Sequence, residues 1–167
     1  MLARYLAWEA ALSARYVLPQ GSYGRWFAAL GAHLGDGLLW AVVGLVLAIW
    51  GNTFARGVTM VAAVAVLLAA GIATMCKYTV RRKRPWEQPQ FYAIKHDRYS
   101  FPSGHATRMM AIATVLAHYV PPIAVAGYLL AAVVAICRVL VGVHYVSDVI
   151  VGALIGLASA GIVLALF

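Results

Sequence analysis

Acidic side chains are scarce in this chain. Only five of its 167 residues are Asp or Glu, against thirteen Lys and Arg, and charged residues make up 11% of the sequence. About a quarter of the residues in a soluble domain are charged, and 64% of this chain is hydrophobic. The composition therefore excludes an ordinary soluble domain and predicts an integral membrane protein. The formal charge of +8 leaves nucleic acid, anionic lipid and a small anionic ligand as candidate partners.

Cysteine is also scarce. Two cysteines exclude a framework of several disulfides and a zinc site built from paired Cys-x-x-Cys motifs. We expect Cys76 and Cys137 to be buried thiols that act as small apolar residues. A single bridge is the alternative if their face of the protein is oxidising. No signal peptide is expected, because Glu9 and Arg15 interrupt the apolar stretch at the N-terminus.

Long apolar runs set the predicted architecture, since about 20 apolar residues are needed to cross a bilayer. Five runs approach that length: residues 30–50, 57–80, 103–120, 122–138 and 144–167. The first contains Asp36 and is the weakest candidate. Residues 2–18 alternate apolar side chains with Arg4, Glu9 and Arg15, which predicts a surface amphipathic helix within residues 1–25. We predict an all-α integral membrane protein, a helical bundle of five to six transmembrane helices with an N-terminal amphipathic helix, in a single domain over residues 1–167.

The positive charge is concentrated in one part of the chain. Nine of the thirteen basic residues lie from Lys77 to Arg138, which favours a small phosphorylated ligand over a long polyanion. Lys77 ends the second apolar run and His105 opens the third, so they share a membrane face. Two further crossings return the chain to that face at Arg138 and His144. We therefore expect the clusters within residues 77–148 to meet, with residues 81–100 forming an ordered loop.

Two clusters carry groups suited to phosphate oxygens. Lys77 and Arg84 are seven residues apart, which places them along one side if the helix continues, and Pro85 makes Arg84 a helix exit. Ser103 is a natural N-cap for the next helix, where unpaired backbone N–H groups can face an anion. Gly104 lets a backbone or ligand approach closely, and His105 can donate a proton to a departing alkoxide.

The third cluster has the pattern of an activated nucleophile. His144 and Asp148 are four residues apart, so a carboxylate can fix the tautomer of the imidazole and leave its other nitrogen free to attack. Gly142 permits a bend that returns Arg138 to the same pocket. For His33, His96 and His118 we expect structural roles. For Arg81, Arg82 and Lys83, a solvated basic terminus that touches lipid headgroups is as well supported as phosphate binding.

These residues carry a family resemblance. Lys77-x6-Arg84-Pro85, Pro102-Ser103-Gly104-His105 and Arg138-x5-His144-x3-Asp148 resemble the three-part signature of the type 2 phosphatidic acid phosphatase superfamily, whose membrane members are lipid phosphate phosphatases. Cys137 stands where that signature usually has Ser. A thiol is a weaker hydrogen-bond partner than a hydroxyl.

The resemblance implies a two-step, metal-independent mechanism without a cofactor. His144, held by Asp148, would attack phosphorus while His105 protonates the leaving oxygen, and water would cleave the phosphohistidine. The phosphate-binding residues would be Lys77, Arg84, Ser103, Gly104 and Arg138. The sequence agrees about metal, because a site this basic offers a divalent cation too few oxygen ligands.

The substrate and the reaction leave alternatives open. A lipid-linked phosphotransferase, an anion transporter and a structural lipid-binding protein are the other classes considered. The lipid substrate is a phosphatidate, a phosphatidylglycerophosphate or a polyprenyl mono- or diphosphate, and Arg108 can hold a second phosphate or extend toward headgroups. We expect the bilayer but no nucleic acid as partner, and the sequence leaves the oligomeric state unknown.

The side of the membrane is contested. Most basic residues outside the motifs lie on the catalytic face, which the positive-inside rule places in the cytoplasm. The resemblance instead implies the extracytoplasmic side of the cell membrane. We follow the resemblance, because several of these charges can serve the substrate rather than topology.

Overall fold

A computed structural model of the chain describes residues 2–85 and 98–167. His96 and most of the polar segment at 81–100 lie outside these ranges. The described residues form seven α-helices and one short 3-10 turn, Pro121–Ile123, and contain no strand. The all-α prediction is thus confirmed. The helices are α1 (Leu2–Tyr16), α2 (Tyr23–His33), α3 (Gly37–Trp50), α4 (Thr53–Val80), α5 (Gly104–Tyr119), α6 (Ala124–Leu140) and α7 (Val146–Leu164).

Three segments are long and apolar enough to cross a bilayer alone, namely α4, the turn with α6 (Pro121–Leu140), and α7. The pair α2 and α3 makes a fourth candidate across a bend of 42°. The predicted span over residues 103–120 corresponds to α5, which has only 16 residues and packs among α4, α6 and α7. Large apolar side chains such as Leu38, Trp50, Leu67 and Leu129 are exposed, as expected where lipid covers the surface. The chain is a multi-pass membrane protein.

The prediction of one span over residues 30–50 is wrong in its detail. Helix α2 ends at His33 and α3 begins at Gly37. Asp36 occupies the N-cap of α3 in an extended conformation, because a carboxylate is favoured at a helix N-terminus and disfavoured within an apolar helix. The break therefore lies where the sequence places its only charge within that run.

Close backbone packing between α5 and α7 brings their N-terminal ends together. A Cβ atom at Gly152 would lie 2.6 Å from the Ser103 carbonyl oxygen, and one at Gly156 would collide with the Thr107 carbonyl oxygen. Glycine at these two positions lets the helices approach more closely than any side chain permits. The approach places the first turn of α5 beside the first turn of α7.

Helix α1 is present where an amphipathic helix was predicted, but its buried side is polar. Glu9 and Ser13, one turn apart, are 2% and 1% exposed, whereas Trp8 is 59% exposed. The helix thus presents a carboxylate to the protein and apolar side chains to its surroundings. Its position on the bilayer surface stays a prediction.

Candidate active site

The three sequence clusters meet at one end of the bundle. The Ser103 amide donates to the Asp148 carbonyl oxygen at 2.9 Å, which joins the start of α5 to the start of α7. Arg84, beyond the end of α4, donates to the Val143 carbonyl oxygen at 3.0 Å. Contacts between residues so far apart in sequence are those that the counting of crossings predicts.

The basic residues after α4 reach the site by a different route from the one predicted. The helix ends at Val80, and Arg81 caps it in the left-handed conformation with φ of 52°. Arg84 therefore arrives on extended chain rather than on a second helical turn beyond Lys77. The Lys77 ammonium donates to the Tyr99 carbonyl oxygen at 3.3 Å, where the polar segment returns. The Ser100 amide donates to the Arg82 carbonyl oxygen at 2.9 Å and closes the base of that segment.

A tight turn carries Arg138 and His144 into the same region. Gly142 adopts a φ of 83°, which is a conformation that favours glycine, as the predicted bend requires. Arg138, near the end of α6, is 2% exposed and His144 is 1% exposed. The Arg138 guanidinium lies close enough to act electrostatically on His105. The turn thus faces the first turn of α5.

His144 lies between a carboxylate and a guanidinium. Its Nδ1 is 3.5 Å from Asp148 Oδ2, and its Nε2 is 3.5 Å from a terminal nitrogen of Arg84. Both distances exceed those of strong hydrogen bonds. Asp148 Oδ2 also accepts the Tyr145 amide at 2.9 Å, which fixes the carboxylate. The ring nitrogen remote from Asp148 therefore points toward cationic groups.

The start of α5 offers polar groups to an anion. Ser103 is the N-cap, as predicted, but its hydroxyl makes no capping hydrogen bond. That hydroxyl is fully buried and has no hydrogen-bond partner among the described residues. A Cβ atom added at Gly104 would meet no atom within 4 Å, so open space adjoins the first amides of the helix.

Asp36 is a site residue that the sequence reasoning missed. Its Oδ1 lies 2.8 Å from Nε2 of His105, and its Oδ2 lies 2.7 Å from Nδ1 of His33. Arg108, one turn after His105, donates to the Gly35 carbonyl oxygen. Its signal in the sequence is a carboxylate within an apolar run, which by itself indicates a weak span.

Arg82 and Glu9 were also missed. Arg82 donates to Asp148 Oδ1 at 2.9 Å and to Glu9 Oε2 at 2.7 Å, and its guanidinium lies 3.7 Å from the centre of the Tyr145 ring. Glu9 Oε1 accepts the Ser147 amide at 2.8 Å. Burial raises the pKa of the Tyr145 phenol. The interpretation as a solvated terminus suits exposed Arg81 and Lys83 but is wrong for Arg82.

The remaining residues singled out in the sequence are the two cysteines and His118. Cys76 and Cys137 are free thiols. Cys137 packs against Gly31 of α2, where a Cβ atom would lie 2.6 Å from its sulfur. His118 packs edge-on against Tyr119. Within residues 2–85 and 98–167, no three His, Cys, Asp or Glu side chains are grouped as metal ligands.

An apolar groove of about 420 Å³ lies between α5, α6 and α7, and its lining includes residues of the first turns of α5 and α7. Three of its lining residues directly follow site residues in the sequence: Ala106 follows His105, Val139 follows Arg138, and Val149 follows Asp148. Each helix therefore turns a polar side chain toward the site and an apolar neighbour toward the groove.

The comparisons with known proteins agree with this geometry. Residues 58–167 match the model of the PAP2 superfamily. The chain belongs to the PAP2 superfamily. That match covers all three clusters and confirms the resemblance inferred from their spacing.

Two curated relatives are named for the decaprenyl or undecaprenyl compound on which they act. A decaprenylphosphoryl-5-phosphoribose phosphatase of Mycobacterium tuberculosis is 38% identical over 108 residues, which are 62% of this chain and 58% of that protein. An undecaprenyl-diphosphatase of Sulfolobus acidocaldarius is 33% identical over 122 residues, which are 71% of this chain and 58% of that protein. The matched region thus spans less than two thirds of either relative.

Two solved structures share the fold over nearly the whole chain. LpxE of Aquifex aeolicus superposes with a TM-score of 0.77 at 25% identity and covers 93% of both chains. A transmembrane PAP2 type phosphatidylglycerolphosphate phosphatase from Bacillus subtilis gives a TM-score of 0.77 at 22% identity, over 98% of this chain and 86% of that one. The helical arrangement is therefore that of membrane PAP2 proteins.

The Arg82 cluster predicts a large effect of one substitution. Arg82→Met should lower the free energy of unfolding by about 3 kcal/mol, because two buried carboxylates lose their shared cation. The midpoint of thermal unfolding in detergent measures this. Lys83→Met, which removes an exposed cation from the next position, is the control. Equal midpoints for the two variants would show that Arg82 does not stabilise the cluster.

Proposed function

We propose that this protein is a membrane lipid phosphate phosphatase that works through a phosphohistidine intermediate. The observation that carries the proposal is the placement of His144, buried between the Asp148 carboxylate and the Arg84 guanidinium. A carboxylate behind an imidazole orients it, and cations in front of it attract a phosphoryl group. Structural histidines have no need of both neighbours.

In the first step, Nε2 of His144 attacks phosphorus and forms a P–N bond. The bond from phosphorus to the lipid oxygen breaks, and that oxygen takes its electron pair together with a proton from His105. Charge in such a transition state spreads over the three equatorial oxygens. The groups proposed to stabilise those oxygens are Lys77, Arg84, Arg138, the Ser103 hydroxyl and the amides that begin at Gly104.

In the second step, a water molecule attacks the phosphohistidine and gives a proton to His105. The P–N bond breaks, its electron pair returns to Nε2 of His144, and inorganic phosphate leaves. The net reaction consumes one water and releases a free lipid alcohol or a shorter phosphate. His105 ends each cycle protonated, and no other proton donor is required.

The lipid part of the substrate is proposed to occupy the groove between α5, α6 and α7. Its apolar lining suits an acyl or isoprenoid chain, and it reaches the residues adjoining His105, Arg138 and Asp148. The names of the curated relatives favour a polyprenyl-linked phosphate or diphosphate within this class. We also propose that metal ions take no part, since cationic side chains supply the positive charge that a metal would bring.

The direct test is phosphate release from a panel of purified lipid phosphates and diphosphates by the protein in detergent, with EDTA present. We expect release from at least one polyprenyl or glycerolipid substrate, and none by His144→Ala, whose thermal midpoint should match that of the parent. Full-rate release by His144→Ala would remove the nucleophile assignment. Absence of phosphate release in detergent, together with anion uptake into sealed vesicles that contain the protein, would favour a transporter. Phosphate release that is lost with EDTA and restored by added metal would refute the metal-free step.

The groove predicts a selective effect on long-chain substrates. Ala132 is an exposed lining residue on α6, so Ala132→Trp should fill the groove without disturbing the core. KM for a long-chain phosphate should rise on the order of 10- to 100-fold, which corresponds to the roughly 1–3 kcal/mol lost when a chain no longer fits its pocket. A short-chain phosphate should be hydrolysed as before. Ala158→Trp, at an exposed position of α7 outside the groove, is the control, and equal KM changes in both variants would refute the assignment.

We propose that the catalytic face lies on the extracytoplasmic side of the cell membrane. Arg25, Arg82 and Arg84 on this face are engaged with carbonyl or carboxylate oxygens, so they serve the fold and site rather than topology. Lys83→Cys, in a chain with Cys76 and Cys137 replaced by alanine, should react with a membrane-impermeant maleimide in intact cells. Labelling only after lysis would place this face in the cytoplasm.

A further inference from the structure

The break between α2 and α3 is held against α5 by two polar contacts. Asp36 Oδ1 lies 2.8 Å from Nε2 of His105, and Arg108 donates to the Gly35 carbonyl oxygen. Packing is tight on both sides of the break. A Cβ atom at Gly35 would lie 2.6 Å from a Val134 methyl and 3.0 Å from the His105 ring, and one at Gly37 would lie 3.0 Å from the Arg108 guanidinium.

The break also orients the carboxylate on its far side. Asp36 Oδ2 lies 2.7 Å from Nδ1 of His33, the last residue of α2. Asp36 is the N-cap of α3, yet its side chain makes no capping hydrogen bond. Both carboxylate oxygens are therefore directed at imidazoles instead of at the helix that the residue begins.

The other charges that face His105 are cationic. Arg138 on α6 and Arg108 on α5 both act on the imidazole electrostatically, and Asp36 is the one carboxylate acting on it among the described residues. Cations that grip a phosphoryl group also disfavour a protonated histidine beside them. A general acid must carry its proton before the leaving oxygen departs. A general acid at His105 therefore needs a neighbouring group that offsets the effect of those cations on its protonated form.

We propose that Asp36 is the positioning residue of the proton donor. It accepts a hydrogen bond from Nε2 of His105, fixes the ring so that Nδ1 carries the proton transferred to the leaving oxygen, and favours the protonated form against Arg138 and Arg108. The interruption of the α2–α3 span then has a catalytic reason. This inference rests on the proposed function, because it assigns Asp36 a role only if His105 protonates a leaving group.

The test compares two substrates in Asp36→Asn. An alkyl or lipid phosphate has a leaving group that requires a proton, whereas p-nitrophenyl phosphate releases a stable anion without one. We expect kcat/KM for the alkyl substrate, which reports the step in which the leaving group departs, to fall on the order of 10- to 100-fold, a part of what a general acid contributes. We expect kcat/KM for the aryl substrate to change little. The alkaline limb of the pH profile of kcat/KM for the alkyl substrate should also move to lower pH, because the imidazolium loses the carboxylate that stabilises it.

Matched variants separate positioning from stability. Asparagine is a good N-cap, so Asp36→Asn preserves the start of α3. Asn52→Ala removes the N-cap hydrogen bond of α4 at the opposite end of the bundle and should lower the thermal midpoint without selecting between substrates. Adding Asp36→Asn to His105→Asn should cause no further loss with the alkyl substrate, because the two residues act as one unit.

Several outcomes would overturn the inference. Equal losses with both substrates, or an unmoved alkaline limb, would reduce Asp36 to a structural residue. If Asp36→Asn does not fold, nitrogen NMR of the parent protein decides the question, because a His105 ring protonated on Nδ1 but not on Nε2 at neutral pH would contradict the hydrogen bond to Asp36. A parent protein that hydrolyses neither phosphate would instead refute the proposed function itself.

Discussion

The carboxylate of Asp148, buried at the start of α7, holds the catalytic end of this bundle together. Its side chain accepts the Tyr145 amide and the Arg82 guanidinium, and its main-chain carbonyl accepts the Ser103 amide. Those contacts tie the segment after α4 and the first turns of α5 and α7 to one residue. An unpaired carboxylate there would be strongly disfavoured, so Arg82 is held by the same carboxylate that lies 3.5 Å from Nδ1 of His144.

Charge balance explains why the site has this shape. Under the proposed function, Lys77, Arg84 and Arg138 would share one phosphate-binding region, and clustered cations repel one another. A bound phosphoryl group would then supply negative charge, so that substrate binding would also neutralise the site. Carboxylates close to the phosphate would weaken its binding. Asp148 and Asp36 instead each lie behind an imidazole.

The parts of this arrangement that the sequence could predict follow from periodicity and spacing. Apolar run length predicts α4, α6 and α7, and the order of crossings predicts that Lys77, His105 and His144 share an end. The positive φ of Gly142 follows from the need to turn between Arg138 and His144. These are local or counting arguments, and they hold because the bilayer restricts how a chain can cross.

Contacts made by side chains from the N-terminal third could not be predicted in this way. Nothing in the spacing of Glu9 relates it to Arg82, 73 residues later. In the sequence, Asp36 is only a charge that interrupts an apolar run, because its partner, His105, lies 69 residues further on. Composition did contain a clue. Each carboxylate in an apolar setting needs a cationic or hydrogen-bonding partner. Most of the basic residues that could serve as that partner lie from Lys77 to Arg138.

The described acidic residues bear this out, and they also show what the N-terminal helices contribute. Of the five Asp and Glu in the chain, Glu9, Asp36 and Asp148 are described, and each contacts an arginine or histidine of the site. The family match begins at residue 58, so Asp148 belongs to it whereas Glu9 and Asp36 precede it. The matched region contains all three sequence clusters, and the earlier helices add one carboxylate that contacts Arg82 and one that contacts His105. Glu9 secures the nucleophile side through Arg82, and Asp36 contacts His105 on the other side. Because these two contacts come from α1 and from the α2–α3 break, a displacement of the N-terminal helices would act directly on His105 and, through Arg82 and Asp148, on His144.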